Sequence, residues 1–178
     1  GTFTNHGTFT NSGSIVNQKT VINTPSGVVN NSGEITNTRG AIVFDNSGIL
    51  NNDATGIINN DIGSIYNSKT INNRWMIVNT QTIYNEDSGT ITNFNAINSK
   101  SSGVIINSGE IDNRKAGKIT NSNKFTNLGT ITNTGSINNN FSGVIYNLNQ
   151  ITNIYGVISN SGKINNNNPE RTTYCDKI

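Results

Sequence analysis

Charge is scarce in this chain: only 12% of its 178 residues are Asp, Glu, Lys or Arg, against roughly 25% in an average soluble domain. The 12 basic residues are spread out instead of clustered, and the net charge is only +2. That leaves no footprint for nucleic acid and no polybasic patch for a membrane surface. The single cysteine, Cys175, has no partner for an internal disulfide and no second thiol at metal-ligand spacing. No apolar run approaches the roughly 18 residues that span a bilayer as a helix, which predicts a soluble chain without membrane insertion. Histidine occurs once, as His6, in a short turn beside Gly7, and no serine or cysteine stands at a spacing that would make it a nucleophile's base. Two prolines and few charges also argue against disorder, because disordered segments are rich in both and poor in Ile.

What fills the gap is polar and uncharged. The chain holds 37 Asn and 26 Ile beside 18 Gly. These are ordered into a pentad of Gly, variable, aliphatic, variable, Asn, as in Gly1-Thr2-Phe3-Thr4-Asn5, Gly89-Thr90-Ile91-Thr92-Asn93 and Gly129-Thr130-Ile131-Thr132-Asn133. About 25 copies run from Phe3 and Phe9 through Val21, Ile42 and Ile91 to Ile164 as central residues, covering everything before residue 167. Alternation with period two places the central residue and the Asn on one face and the variable pair on the other, so each pentad reads as a short strand. Spacings of six to eight, with Gly and Asn in every window, exclude a helical stripe.

Strands this short are stable only when stacked, which predicts an all-β parallel solenoid. The longer spacings alternate from Ile83 onward, favouring two strands and about 12–14 residues per coil, roughly a dozen coils and some 60 Å of rod. A three-sided left-handed β-helix with about 18 residues per coil is the alternative. In the two-sided form Ile91 stacks on Ile105; in the three-sided form it stacks on Ile111. The leading Gly, replaced by Asn95, Asn123 or Asn149, suggests a left-handed turn position. The trailing Asn, facing inward, predicts carboxamide ladders from coil to coil.

Candidate sites are few, and catalytic, metal and cofactor residues are assigned to none; the chain reads as a non-enzyme. Glu110 and Asp112 point outward from one strand, with Lys124 expected beside them on the next coil as a charge partner. Asp45, Asp53 and Asp61 recur every eight residues but are expected on opposite edges, which does not gather a calcium site. Thr-x-Thr pairs at Thr2/Thr4, Thr8/Thr10, Thr90/Thr92 and Thr130/Thr132 raise ice binding, set aside because a two-sided sorting scatters them. Apolar outward pairs at Met76/Val78, Val104/Ile106 and Val144/Tyr146 suggest a contact surface.

The tandem pentads resemble the Asn-, Ile- and Gly-rich β-solenoid repeats of microbial surface proteins, the filamentous adhesins and extracellular fibre subunits. The resemblance spans residues 1 to 166 and implies an extracellular or cell-surface structural role without carrying over any binding residue. The expectation is a rod over residues 1–168 that assembles head-to-tail with copies of itself, since the repeat starts at Gly1 with no preceding cap, as in a processed protein or an excised fragment. Residues 169–178 form a non-repeat tail, where Arg171 to Cys175 has the character of an extra strand that caps the rod or joins subunits. Phe3, Ile164, Arg171, Tyr174 and Cys175 are the assembly candidates. The alternative is an adhesin stalk or glycan-binding rod using Tyr66, Tyr84 and Tyr146.

Overall fold

The computed structural model describes residues 1–38, 43–167 and 172–175. Strands of four residues follow one another at every pentad: β1 (Thr2–Asn5), β2 (Thr8–Asn11), β3 (Ser14–Asn17), β4 (Thr20–Asn23) and onward to the last, Thr172–Cys175. Every third strand joins the same parallel sheet, so β4 lies on β1 with Phe3 paired to Val21 and Asn5 to Asn23. Two sheets of nine strands and one of eight result. We call them sheets A, B and C, after β1, β2 and β3.

The coil is therefore three-sided, and the two-sided expectation is overturned: Ile91 pairs with Ile111, not Ile105. Equivalent asparagines in successive coils are 18 to 23 residues apart. At about 4.8 Å per step, a nine-stranded sheet gives a rod on the order of 40 Å, shorter than the two-sided reading implied. That reading assumed that corners on one edge share a length. They do not. Four-residue corners occur between sheets A and B at 86–89, between C and A at 100–103 and between B and C at 114–117, so corner length rotates around the coil instead of marking an edge.

Inside the triangle each sheet contributes one apolar column. In sheet A it runs Phe3, Val21, Phe44, Ile65, Ile83, Ile105, Phe125, Ile145, Ile164. Between its ends these residues are at least nine-tenths buried. The pentad centred on Ile42 was placed two residues early: the inward position belongs to Phe44, on the strand Val43–Asn46, while Ile42 itself lies outside the described residues. Along the middle of the rod the bore holds a void of only about 10 Å³, so it is filled by side chains.

Nearly every strand carries an inward Asn at its corner, and this residue organises the coil. In sheet A the Nδ2 of Asn5 donates to Asn23 Oδ1 at 2.9 Å, Asn23 to Asn46 at 2.8 Å, and so on to Asn147 and Asn166 at 2.9 Å. A parallel ladder climbs sheet B from Asn11 to Asn153. The same Nδ2 group also reaches two backbone carbonyls. From Asn113 it donates to Gly117 O in its own corner at 3.1 Å, to Asn133 Oδ1 at 2.7 Å, and to Ser136 O on the next coil at 3.0 Å. A fully buried amide is thus satisfied, and one residue type fastens its corner to the coil that follows.

The leading glycines have a different cause from the one the sequence suggested. Among the described residues only Gly63, at φ 137°, and Tyr155 have positive φ, so at every other described pre-strand position the glycine is not in a left-handed turn. The reason is proximity. A Cβ on Gly89 would press against Asn67 O of the coil before and lie 2.5 Å from the Oδ1 of Asn85, its own ladder residue. All the four-residue corners keep Gly at this place, whereas Gln81, Asn95, Asn123 and Asn149 follow two-residue corners. Pro25 falls in the corner after Asn23, where no ladder N–H is required of it.

Two pairs of substitutions check this account. Ile131→Asp buries an unpaired charge at a fully buried position and should cost roughly 3–5 kcal/mol, while Thr132→Asp, on the outer face, should cost little, as read by thermal or denaturant unfolding. Gly89→Ala should lose about 1–3 kcal/mol. The same change at Gly7, where a Cβ meets nothing within 4 Å, should stay within about 0.5 kcal/mol. Equal losses at both glycines would remove close approach as the cause.

Candidate functional surface

With the interior committed to Ile and Asn, chemistry is left to the three outer faces and the corners. The outer face of sheet A carries Tyr66, Tyr84 and Tyr146. Tyr66 and Tyr84 are register partners whose rings stack with centroids 4.7 Å apart and planes 10° from parallel. Ile106 follows on the next coil, then Thr126 and Tyr146. Beside this column run Thr82, Val104, Lys124 and Val144, and the Lys124 ammonium sits 5.6 Å from the Tyr146 ring centroid, a cation–π contact. The alternation of the pentad requires this segregation, because both variable residues of a strand must point outward and the fixed register stacks like positions at each coil. The sequence named all three tyrosines, but only the three-sided coil brings them onto one sheet.

Sheet B is polar and nearly uncharged. Thr8/Thr10, Thr90/Thr92 and Thr130/Thr132 all lie on it, and Thr2/Thr4 lies on sheet A. The two-sided sorting that scattered them is corrected by the three-sided coil. Their array is still broken, by Val28/Asn30, Ile49/Asn51 and Glu110/Asp112. An outer amide ladder joins Asn72 to Asn51 at 2.9 Å and Asn51 to Asn30 at 2.8 Å. Where sheets A and B meet, a shallow depression of about 520 Å³ is lined by Asp87, Thr90, Glu110, Thr130 and Asn149.

Several charge expectations change with the topology. Glu110 pairs with Thr90 and Thr130 on sheet B, whereas Lys124 is on sheet A, so they do not meet. Asp112 is bound instead by Arg114 at 2.7 Å. Asp45 faces outward from sheet A, Asp53 sits in a corner 3.4 Å from Arg74, and Asp61 in the following corner accepts from Thr80; no cluster of three potential metal ligands occurs among the described residues. His6 is exposed in the corner between β1 and β2. Met76/Val78 lies on sheet C, apart from Val104/Ile106 and Val144/Tyr146.

The assembly candidates fall at the two ends of the stack. Phe3 and Ile164 terminate the same inward column of sheet A and are 43% and 38% exposed, in contrast to their buried neighbours. Phe3 packs edge-on against Phe9 with centroids 5.0 Å apart, and a cleft of about 570 Å³ opens there between Phe3, Phe9, Ile15, Val16 and Val21. Tyr174 and Cys175 belong to the last strand, whose backbone pairs in parallel with Gln150–Ile154 and so continues sheet B. Arg171 lies outside the described residues.

The fold and its ladders define a β-solenoid repeat protein. No family model, curated protein or solved structure matches the chain.

Stacking of the Tyr66–Tyr84 pair on an outer face predicts a modest energetic role. Tyr84→Ala should lower stability by about 0.5–1.5 kcal/mol, and a double-mutant cycle with Tyr66→Ala should assign most of that to the pair.

Proposed function

We propose that this chain is the structural subunit of an extracellular fibre or filament, a rod that lengthens by stacking one copy's end on another's. The observation that carries this reading is the repetition of the same three inward columns from coil to coil. Every coil has three sides, and every inner ladder bond donates in the same direction, from a coil to the one after it. The coil at one end thus offers carboxamide oxygens and the apolar Phe3, Phe9 and Ile15, while the coil at the other offers the next register of the same columns at Ile158 and Ile164. Stacking across such a junction reuses the contacts inside the rod, backbone pairing included. Placement outside the cell rests on the resemblance of the pentads to microbial surface repeats. In that oxidising setting Arg171, Tyr174 and Cys175 are assigned to the junction, with Cys175 available for a disulfide between subunits.

The test is sizing and negative-stain microscopy of the purified chain over a range of concentrations. End-joined rods in multiples of the roughly 40 Å unit are expected, shortened by Phe3→Asp or Ile164→Asp. Rods of a single length at every concentration overturn the proposal.

The tyrosine column favours a second reading, an adhesin stalk or glycan-binding rod, because aromatic faces suit sugar rings. Monomeric rods that bind a glycan array and lose binding on Tyr146→Ala would select it.

A further inference from the structure

One rung is missing from the interior. The ladder of sheet C runs Asn17, Asn37, Asn60, Asn79 and resumes at Asn121, Asn139, Asn160. At the intervening register stands Ser99, paired in backbone with Asn79 on one side and Asn121 on the other. Ser99 is 1% exposed, and Asn79 and Asn121 are fully buried. Ser99 Oγ and Asn121 Oδ1 are left without a hydrogen-bond partner. Asn79 is not short of acceptors, since its Nδ2 donates to Gln81 O at 2.9 Å and Val104 O at 3.0 Å.

The equivalent residue one strand later shows which atom is absent. A Cβ on Gly103 would press on Ser99 Oγ just as one on Gly117 would press on Asn113 Oδ1. The serine hydroxyl thus faces its corner glycine as a ladder oxygen does, but it is too short to meet Asn79 Nδ2 below, and it carries no amide nitrogen to reach Asn121 above. At Asn113 that nitrogen serves a corner carbonyl, the ladder oxygen above and a carbonyl of the next coil. The corresponding oxygens around Ser99 are Gly103 O, Asn121 Oδ1 and Lys124 O.

We infer that this gap is a built binding site for one buried water molecule, seated between Ser99 Oγ and Asn121 Oδ1. The chemistry of the surroundings selects water. Asn121 Oδ1 asks for a donor, Ser99 Oγ can donate, and Gly103 O accepts only a long bond from Lys124 N at 3.4 Å, so a molecule with two hydrogens to give and lone pairs to receive satisfies the site: it accepts from Ser99 Oγ, donates to Asn121 Oδ1 and donates to Gly103 O. A bare cation would find too few oxygens for its shell and no counter-charge within the ladder. An apolar occupant would leave both orphaned atoms unpaired.

A high-resolution crystal structure of the intact chain should show a single peak within hydrogen-bond distance of Ser99 Oγ and Asn121 Oδ1. Ser99→Asn should expel it, join Asn79 to Asn121 through the new carboxamide, and raise the unfolding midpoint by roughly 2–8 °C. Ser99→Ala should lower the midpoint and weaken the peak. A direct bond between Ser99 Oγ and Asn121 Oδ1 with no density between coils overturns the inference. So does a peak with an ion's coordination, or a Ser99→Asn protein that retains it. Water-to-protein magnetisation transfer to the Asn121 side-chain amide gives the same answer in the unsubstituted chain should a variant fail to fold.

Discussion

Everything in this rod depends on a buried carboxamide that must have a partner above it and below it. An Asn side chain at the inner corner cannot be solvated, so it is stable only if the coil before donates to its oxygen and the coil after receives from its nitrogen. That requirement fixes the pitch, aligns the three sheets, and forces equivalent residues into register over corners of unequal length. With only three apolar side chains per coil, burial of hydrocarbon does not by itself offset the ordering of some twenty residues. The ladders and the continuous backbone pairing between coils supply the remainder.

The constraint also accounts for what varies and what does not. Inner positions tolerate Ile, Val, Leu or Phe in the apolar columns but almost only Asn at the corner, because apolar packing depends on volume while the amide depends on two directed bonds. Outer positions carry Thr, Tyr, Lys, Glu and Val without such restriction. Ser99 is the exception that shows the cost of a lost direction, with two polar atoms orphaned by one substitution.

The strands, their inward residues and the asparagine ladders were legible in the sequence, since period-two alternation and the pentad state them directly. The number of strands per coil was not. Choosing between two and three sides needed a signal that belongs to one edge, and corner length is not such a signal: a corner can hold two or four residues so long as its Asn reaches the next carbonyl. The cause of the glycines was hidden for a related reason. Close approach between coils, as of Gly89 to Asn67 O, is a contact between residues far apart in the chain, whereas a turn preference is local. Placement of the tyrosines followed from the coil, so the common face of Tyr66, Tyr84 and Tyr146 could not be seen until the third side was known.

The one-way ladders have an electrical consequence. Each carboxamide is a dipole, and within a column all of them point along the rod axis with the same sense, as peptide units do in a helix. Their sum leaves the oxygen end of the stack partly negative and the nitrogen end partly positive, with three columns acting in concert. The outer Asn72–Asn51–Asn30 run donates the opposite way and subtracts a little. Such a rod is a weak bar of charge in which like ends repel and unlike ends attract, over a range set by the roughly 8 Å screening length of physiological salt.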